Sequence, residues 1–181
     1  MANSDTPYGF KPTGKMYGLE PFEVDASNAT AFFRGDAVNA EADGNVGPAA
    51  AGATSIIGAC VGSNAVSYTT KASLAASTAG TVMCAWHPDQ IYLVQTQTGD
   101  TVAQTMLFSN QDHVAGAGST VTGLSGHELN TGTQTTTNGG SWKVIGFLRS
   151  EDNDTTAANA KAKAILNTGE GLLKLITGLD T

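Results

Sequence analysis

Short apolar runs separated by turn residues constrain the fold of this 181-residue chain more than any other feature. Three clear examples are Thr54–Gly62, Thr81–Trp86 and Ser141–Leu148, and glycine, proline or Asp-Gly signals lie between such runs. Runs of about four to eight residues bounded by turn signals are typical of β-strands, because helices usually need about ten residues or more. The spacing predicts an all-β fold, either a β-sandwich or a jelly-roll-like barrel.

Composition supports this prediction. The chain holds 22 glycines, and charged residues make up only 14%, against about 25% in an average protein. The polar surface must therefore be built mainly from neutral residues, with threonine on the outward faces of strands. Cys60 and Cys84 both lie in apolar runs, which indicates two reduced thiols packed in the core.

The formal net charge of −7 limits which classes of molecule the protein is expected to bind. Nucleic-acid binding needs a cationic patch, and the nine Lys and Arg residues are scattered along the sequence, so no direct nucleic-acid partner is expected. The N-terminus has neither the basic nor the apolar region of a secretory signal. Apolar stretches are also too short to cross a bilayer. We expect synthesis in the cytoplasm and no membrane partner.

Residues 1–23 differ from the rest and predict an extended N-terminal arm, followed over 24–181 by a single β-rich domain with a short C-terminal tail. The arm holds Pro7, Pro12 and Pro21, whose spacing excludes a helix. Aromatic side chains on an arm need a surface to pack against, either the arm's own domain or a neighbouring subunit. The residues predicted to anchor the arm on a partner are Tyr8, Phe10, Pro12, Tyr17 and Phe22.

Two segments near the C-terminus are ambiguous. Thr156–Leu166 has high helix propensity, yet alanines and lysines alternate over 160–164, and this alternation favours a half-buried strand. Apolar residues recur at helical spacing over 172–179, which fits a short amphipathic helix or an apolar tail that docks on a partner.

Other segments give simpler predictions. Thr30–Ala40 is predicted to be a strand bent at Gly35, and Glu41–Gly44 to be a turn. His87–Asp89 is predicted to be a turn between two strands, because Pro88 cannot sit in a central ladder. The remaining predictions are a strand over Thr101–Phe108 and loops over 63–80, 110–126 and Thr131–Gly140.

No group of residues predicts an enzyme, and no catalytic, cofactor-binding or metal-ligating residue is proposed from the sequence. His87, His113 and His127 each have an acidic neighbour but lie in segments rich in Gly, Pro or Asn, so they are interpreted as solvated loop residues. The sequence has no nucleophile elbow, zinc-binding helix or phosphate-binding loop. The acidic run 150–154 lacks the conserved glycine and closing glutamate of an EF-hand loop, and is interpreted as an exposed turn.

Three stretches resemble one group of proteins. They are the opening Met1–Pro12 (MANSDTPYGFKP), the strand-Gly-Asp-strand run Ala31–Val38 (AFFRGDAV), and Val144–Asn167 (VIGFLRSEDNDTTAANAKAKAILN), which reads as a closing hairpin with an acidic turn. Together they cover about a quarter of the chain and resemble capsid decoration (cement) proteins of tailed bacteriophages.

The resemblance implies a β-sandwich body on the exterior of the virion, after synthesis in the host cytoplasm. Such proteins bind the assembled head as homodimers or homotrimers and bridge neighbouring subunits of the major capsid protein. They thereby hold the shell against the pressure of packaged DNA, and they need no cofactor.

Two other classes of function stay open. Another virion component, such as a head fibre base, a tail tube or a head–tail joining protein, shares a β-rich body and extended arms. Its copy number would be far lower than that of a decoration protein. A lectin-like β-sandwich binding module would instead carry an exposed aromatic residue beside an acid pair, and would bind a glycan or Ca²⁺ in solution.

Overall fold

The computed structural model describes residues 3–63, 73–99, 102–136 and 139–167. These residues form fourteen β-strands and two short 3₁₀ helices, Gln104–Met106 and Thr131–Thr133. The strands are β1 (Lys11–Thr13), β2 (Leu19–Val24), β3 (Phe32–Phe33), β4 (Ala37–Ala40), β5 (Val46–Pro48), β6 (Ile56–Ser63), β7 (Ser73–Leu74), β8 (Gly80–Ala85), β9 (Ile91–Gln95), β10 (Asn110–Gln111), β11 (His113–Gly116), β12 (Gly126–Leu129), β13 (Trp142–Phe147) and β14 (Lys161–Leu166). The predicted all-β fold is confirmed.

Two five-stranded antiparallel sheets make up most of the molecule. Sheet I has the order β1-β9-β14-β13-β10, and sheet II has the order β2-β8-β6-β4-β5. Two ribbons of two strands each, β3–β7 and β11–β12, complete the described structure. The sheets do not close on themselves, so the fold is a sandwich and not a barrel.

The main core lies between the sheets. Sheet I contributes buried side chains from β9, β13 and β14, and sheet II contributes them from β4, β6 and β8. Successive residues of a strand face opposite sides, so Ala37 of β4 faces this core while Val38 faces a second apolar cluster. That second cluster includes Phe32 and Leu74, which the β3–β7 ribbon supplies.

The N-terminal segment is extended, but it is built into the sandwich. Strand β1 pairs with β9 of sheet I, and β2 pairs with β8 of sheet II. Phe10 is 0% exposed and stacks on Trp142, with 3.8 Å between the ring centroids. Its edge also meets Tyr92 and His113. Of the two surfaces that could receive the arm, the described structure uses the arm's own domain.

Proline occupies three of the four edge strands of the large sheets. Pro12 lies in β1, Pro21 in β2 and Pro48 in β5. An edge strand offers unpaired backbone groups to other chains, and proline has no N–H with which to complete a new ladder. These prolines therefore hinder edge-to-edge pairing between molecules.

Several local predictions are confirmed. The chain bends at Gly35, whose φ of +100° favours glycine, between β3 and β4. The turn at Glu41–Gly44 joins β4 to β5, and the turn at His87–Asp89 carries the chain from sheet II to sheet I. The ambiguous segment Thr156–Leu166 contains strand β14, and Cys60 and Cys84 are buried free thiols.

Other local predictions are wrong. In place of the predicted strand Thr101–Phe108, a 3₁₀ turn buries Met106 and leaves Phe108 exposed. The predicted loop 110–126 contains β10 and β11. No hydrophobic pattern marks these strands, because their buried residues are largely polar. The predicted loop 63–80 contains β7. The predicted helix or tail over 172–179 lies outside the described residues.

Replacing Phe10 with alanine is expected to lower the free energy of unfolding by about 3–5 kcal/mol, because it removes a fully buried ring from the main core. Tyr17→Ala, in the same segment but at a more exposed ring, should cost about 1 kcal/mol or less. Urea unfolding followed by tryptophan fluorescence measures both. Equal losses would mean that the two rings are equally buried in solution.

Candidate functional site

Buried amide side chains fasten the N-terminal segment to the sandwich. The Gln90 Oε1 atom accepts a hydrogen bond from the Tyr17 backbone N–H at 3.0 Å, and its Nε2 atom donates to the Thr13 carbonyl oxygen at 3.2 Å. At the other end of β9, the Gln95 Oε1 atom accepts from the Thr6 N–H at 3.1 Å. Asn3 is bonded in the same way to the backbone of Asp154. The segment is thus held along most of its length.

The five predicted anchor residues have different environments. Phe10 is completely buried in its own core, so in this structure it offers no surface to a partner. Tyr8, Pro12 and Phe22 are half-buried, and Tyr17 is 38% exposed. Among the five, Tyr17 therefore presents the most apolar surface to solvent.

A run of exposed apolar side chains follows Phe10 along the chain. Met16 is 48% exposed, Tyr17 38% and Leu19 42%. We call these three residues the apolar edge. Tyr17 lies against the His87 ring at 5.2 Å between centroids, and Leu19 opens the edge strand β2. Met16 and Leu19 were not among the predicted anchors, because that prediction was based on aromatic residues.

A cleft of about 560 Å³ opens beside the apolar edge. Its walls are the half-buried aliphatic side chains of Val61, Leu93, Leu124 and Leu148, which come from both sheets and from the loop before β12. Lys11, Arg34 and Lys161 also line it, and Met16 belongs both to the cleft and to the apolar edge. No sequence pattern predicts this site, because its residues come together only in the fold.

Two of the three histidines do not lie in solvated loops, and that interpretation is wrong for them. His113 in β11 is 0% exposed and His127 in β12 is 4% exposed, with their rings stacked at 5.1 Å. His127 Nδ1 accepts a hydrogen bond from the Ala37 backbone N–H at 3.3 Å, while its Nε2 atom lies 3.6 Å from an Asp36 carboxylate oxygen. The burial of both histidines was not predicted, because their neighbours in the sequence favour turns. His87 is half-buried in its turn.

The two contacts of the His127 ring fix which of its nitrogens carries the hydrogen. A proton on Nδ1 would face the Ala37 N–H, so only the neutral ring with its hydrogen on Nε2 satisfies both contacts. Burial, with a smaller effect from the nearby His113, lowers the pKa of His127 to about 3. Burial raises the pKa of Asp36 to about 6.

Ser125 completes this buried group without forming a nucleophile–base pair. Its hydroxyl bonds to the Asp36 carboxylate, and its oxygen accepts from the His127 backbone N–H at 2.9 Å. In a serine-dependent triad the histidine lies between the serine and the acid, whereas here Asp36 lies between Ser125 and His127. The arrangement fastens the β3–β4 bend to β12.

The described residues contain no group of three or more His, Cys, Asp or Glu side chains that could hold a metal ion. The predicted exposed acidic turn lies between β13 and β14, where Asp152 pairs with Lys161. Within the same described ranges, no helix has the length and apolar character needed to cross a membrane.

Comparison with known proteins identifies no matching family model, no matching curated protein and no matching solved structure.

Acidification is expected to reduce stability through the buried histidines, and Asp36 is expected to oppose this. The pKa values of His113 and His127 are lowered by burial, so below about pH 6.5 the unfolded chain binds protons that the folded chain does not. The raised pKa of Asp36 means that the folded chain binds its proton first, from about pH 6 downward. Asp36→Asn removes the opposing effect, so stability should fall by roughly 2 kcal/mol more between pH 6 and pH 4 than in the wild type.

Urea unfolding at a series of pH values measures this slope. Glu20→Gln, which changes an exposed carboxylate on β2, is the matched control and should keep the wild-type slope. Glu128, whose pKa burial raises to about 7, is present in all three proteins and does not affect the comparison. Equal slopes for Asp36→Asn and the wild type would contradict the assigned protonation states.

Proposed function

We propose that this protein is a virion structural protein that decorates and stabilises the assembled capsid of a tailed bacteriophage, on its exterior, by bridging neighbouring subunits of the major capsid protein. The three stretches that resemble cement proteins support the proposal, and so does the all-β sandwich expected of them.

The observation that carries the proposal is the apolar edge. Single exposed apolar residues are ordinary on protein surfaces, but Met16, Tyr17 and Leu19 are concentrated within four successive positions. The Gln90 side chain fixes the backbone of this run. A pre-ordered apolar surface loses little conformational entropy on binding, so it suits contact with a rigid shell.

Repetition would make weak contacts sufficient. A homodimer or homotrimer presents several copies of the apolar edge at once, and each bound copy raises the effective concentration of the next. Proteins crowded on a shell also risk pairing through their sheet edges. The prolines in β1, β2 and β5 reduce that risk, which fits a protein used at high copy number.

Copy number on purified particles tests the proposed role. A ratio to the major capsid protein near one, or a simple fraction of it, is expected and can be measured by quantitative mass spectrometry. A few copies per particle would instead indicate a neck, tail or fibre component. Absence from particles would overturn the proposal and favour a binding module.

Changing Met16, Tyr17 and Leu19 together to serine is expected to reduce particle occupancy at least tenfold, because the apolar contact with the shell is lost. Occupancy is measured by adding purified protein to particles that lack it and quantifying the bound fraction. The matched control changes Phe108 and Val121 to serine, since these are 72% and 94% exposed and lie away from the apolar edge in sequence. Full occupancy by the edge variant would exclude the apolar edge as the contact.

A further inference from the structure

We propose that the cleft binds an acidic, apolar peptide segment of a partner protein chain, seating apolar side chains between the aliphatic walls and pairing carboxylates with Lys11 and Arg34. This inference goes beyond the capsid role, because it concerns the chemistry of the bound segment and holds for any partner that carries one.

The charge of the cleft is opposite to that of the whole molecule. The chain has nine basic and 16 acidic residues, yet three of the basic residues and none of the acidic ones line the cleft. Lys161 is paired with Asp152. Lys11 and Arg34 are exposed and form no ion pair within the described part of the chain. These two cations are therefore available to carboxylates of a ligand.

The walls supply the apolar part of the recognition. Val61, Leu93, Leu124 and Leu148 line the cleft and are only partly buried, so an occupant would remove further apolar area from water. The volume of about 560 Å³ lies within the range of about 300–1,000 Å³ that is usual for ligand sites. A segment that carries both apolar and acidic residues matches a cleft lined by aliphatic side chains and cations.

The neighbouring strand β1 favours a peptide lying in the cleft over a strand added to the sheet. Pro12 lies at the centre of β1, the edge strand beside the cleft, and it cannot donate to an added strand. The shared residue Met16 also makes the cleft continuous with the apolar edge. A partner chain that contacts the apolar edge can thus extend a segment into the cleft.

Selection from a displayed library of random ten-residue peptides tests the proposal with the purified full-length protein. We expect enriched peptides to combine Asp or Glu with Leu, Ile, Val or Phe. The synthetic form of the most enriched peptide should bind in a fluorescence anisotropy titration, and the same peptide with its acids changed to lysine should not. Affinity should also fall as salt is raised, because exposed charge pairs are screened.

Two double variants locate the site. Lys11→Gln with Arg34→Gln should weaken binding of the selected peptide about tenfold. Lys143→Gln with Arg149→Gln removes the same charge at two residues that do not line the cleft, and should change binding less than about twofold. Both pairs leave the core intact, which circular dichroism and thermal melting check. No enrichment, enrichment of basic peptides, or equal binding by the two variants would overturn the proposal, and none of these results depends on capsid binding.

Discussion

The stacking of Phe10 on Trp142 is the contact on which the rest of the N-terminal half depends. One ring from the segment before β1 fills the space between the sheets, where it also meets Tyr92 and His113. With Phe10 fixed, β1 can pair with β9 and the chain then reaches sheet II as β2. The apolar edge consists of the connection between these two strands and the first residue of β2, so its position on the surface follows from a contact in the core.

Strands whose buried residues are apolar were mostly predicted from the sequence, whereas strands whose buried residues are polar were not. Ser141–Leu148 and the alternating segment before Leu166 were predicted as strands because each shows a hydrophobic pattern. Strands β10 to β12 bury residues such as Gln111, His113 and His127, which resemble loop residues in a sequence. The rings of His113 and His127 bond to the backbones of Ala49 and Ala37, which are distant in sequence, so no local pattern reports these bonds.

The residues of the candidate site were also only partly predictable from the sequence. The aromatic residues of residues 1–23 predicted a segment that needs a surface to pack against, but the sequence could not distinguish an inward ring from an outward one. Phe10 faces the core while Tyr17 remains partly exposed, although both are aromatic residues in an extended segment. The cleft was not predictable, because Lys11, Arg34 and Leu148 are far apart in sequence and meet only when both sheets have formed.

The edge prolines limit how this protein can bind another chain. A sandwich can recruit a partner by extending a sheet or by offering side chains. Proline interrupts sheet extension at β1, β2 and β5, which leaves side-chain surfaces as the main route. The apolar edge and the cleft are two such surfaces, and Met16 joins them. The apolar edge would supply contact area, and the cations of the cleft would favour acidic ligands over basic ones. A partner that binds both surfaces would therefore be bound more selectively than a partner that binds only one of them.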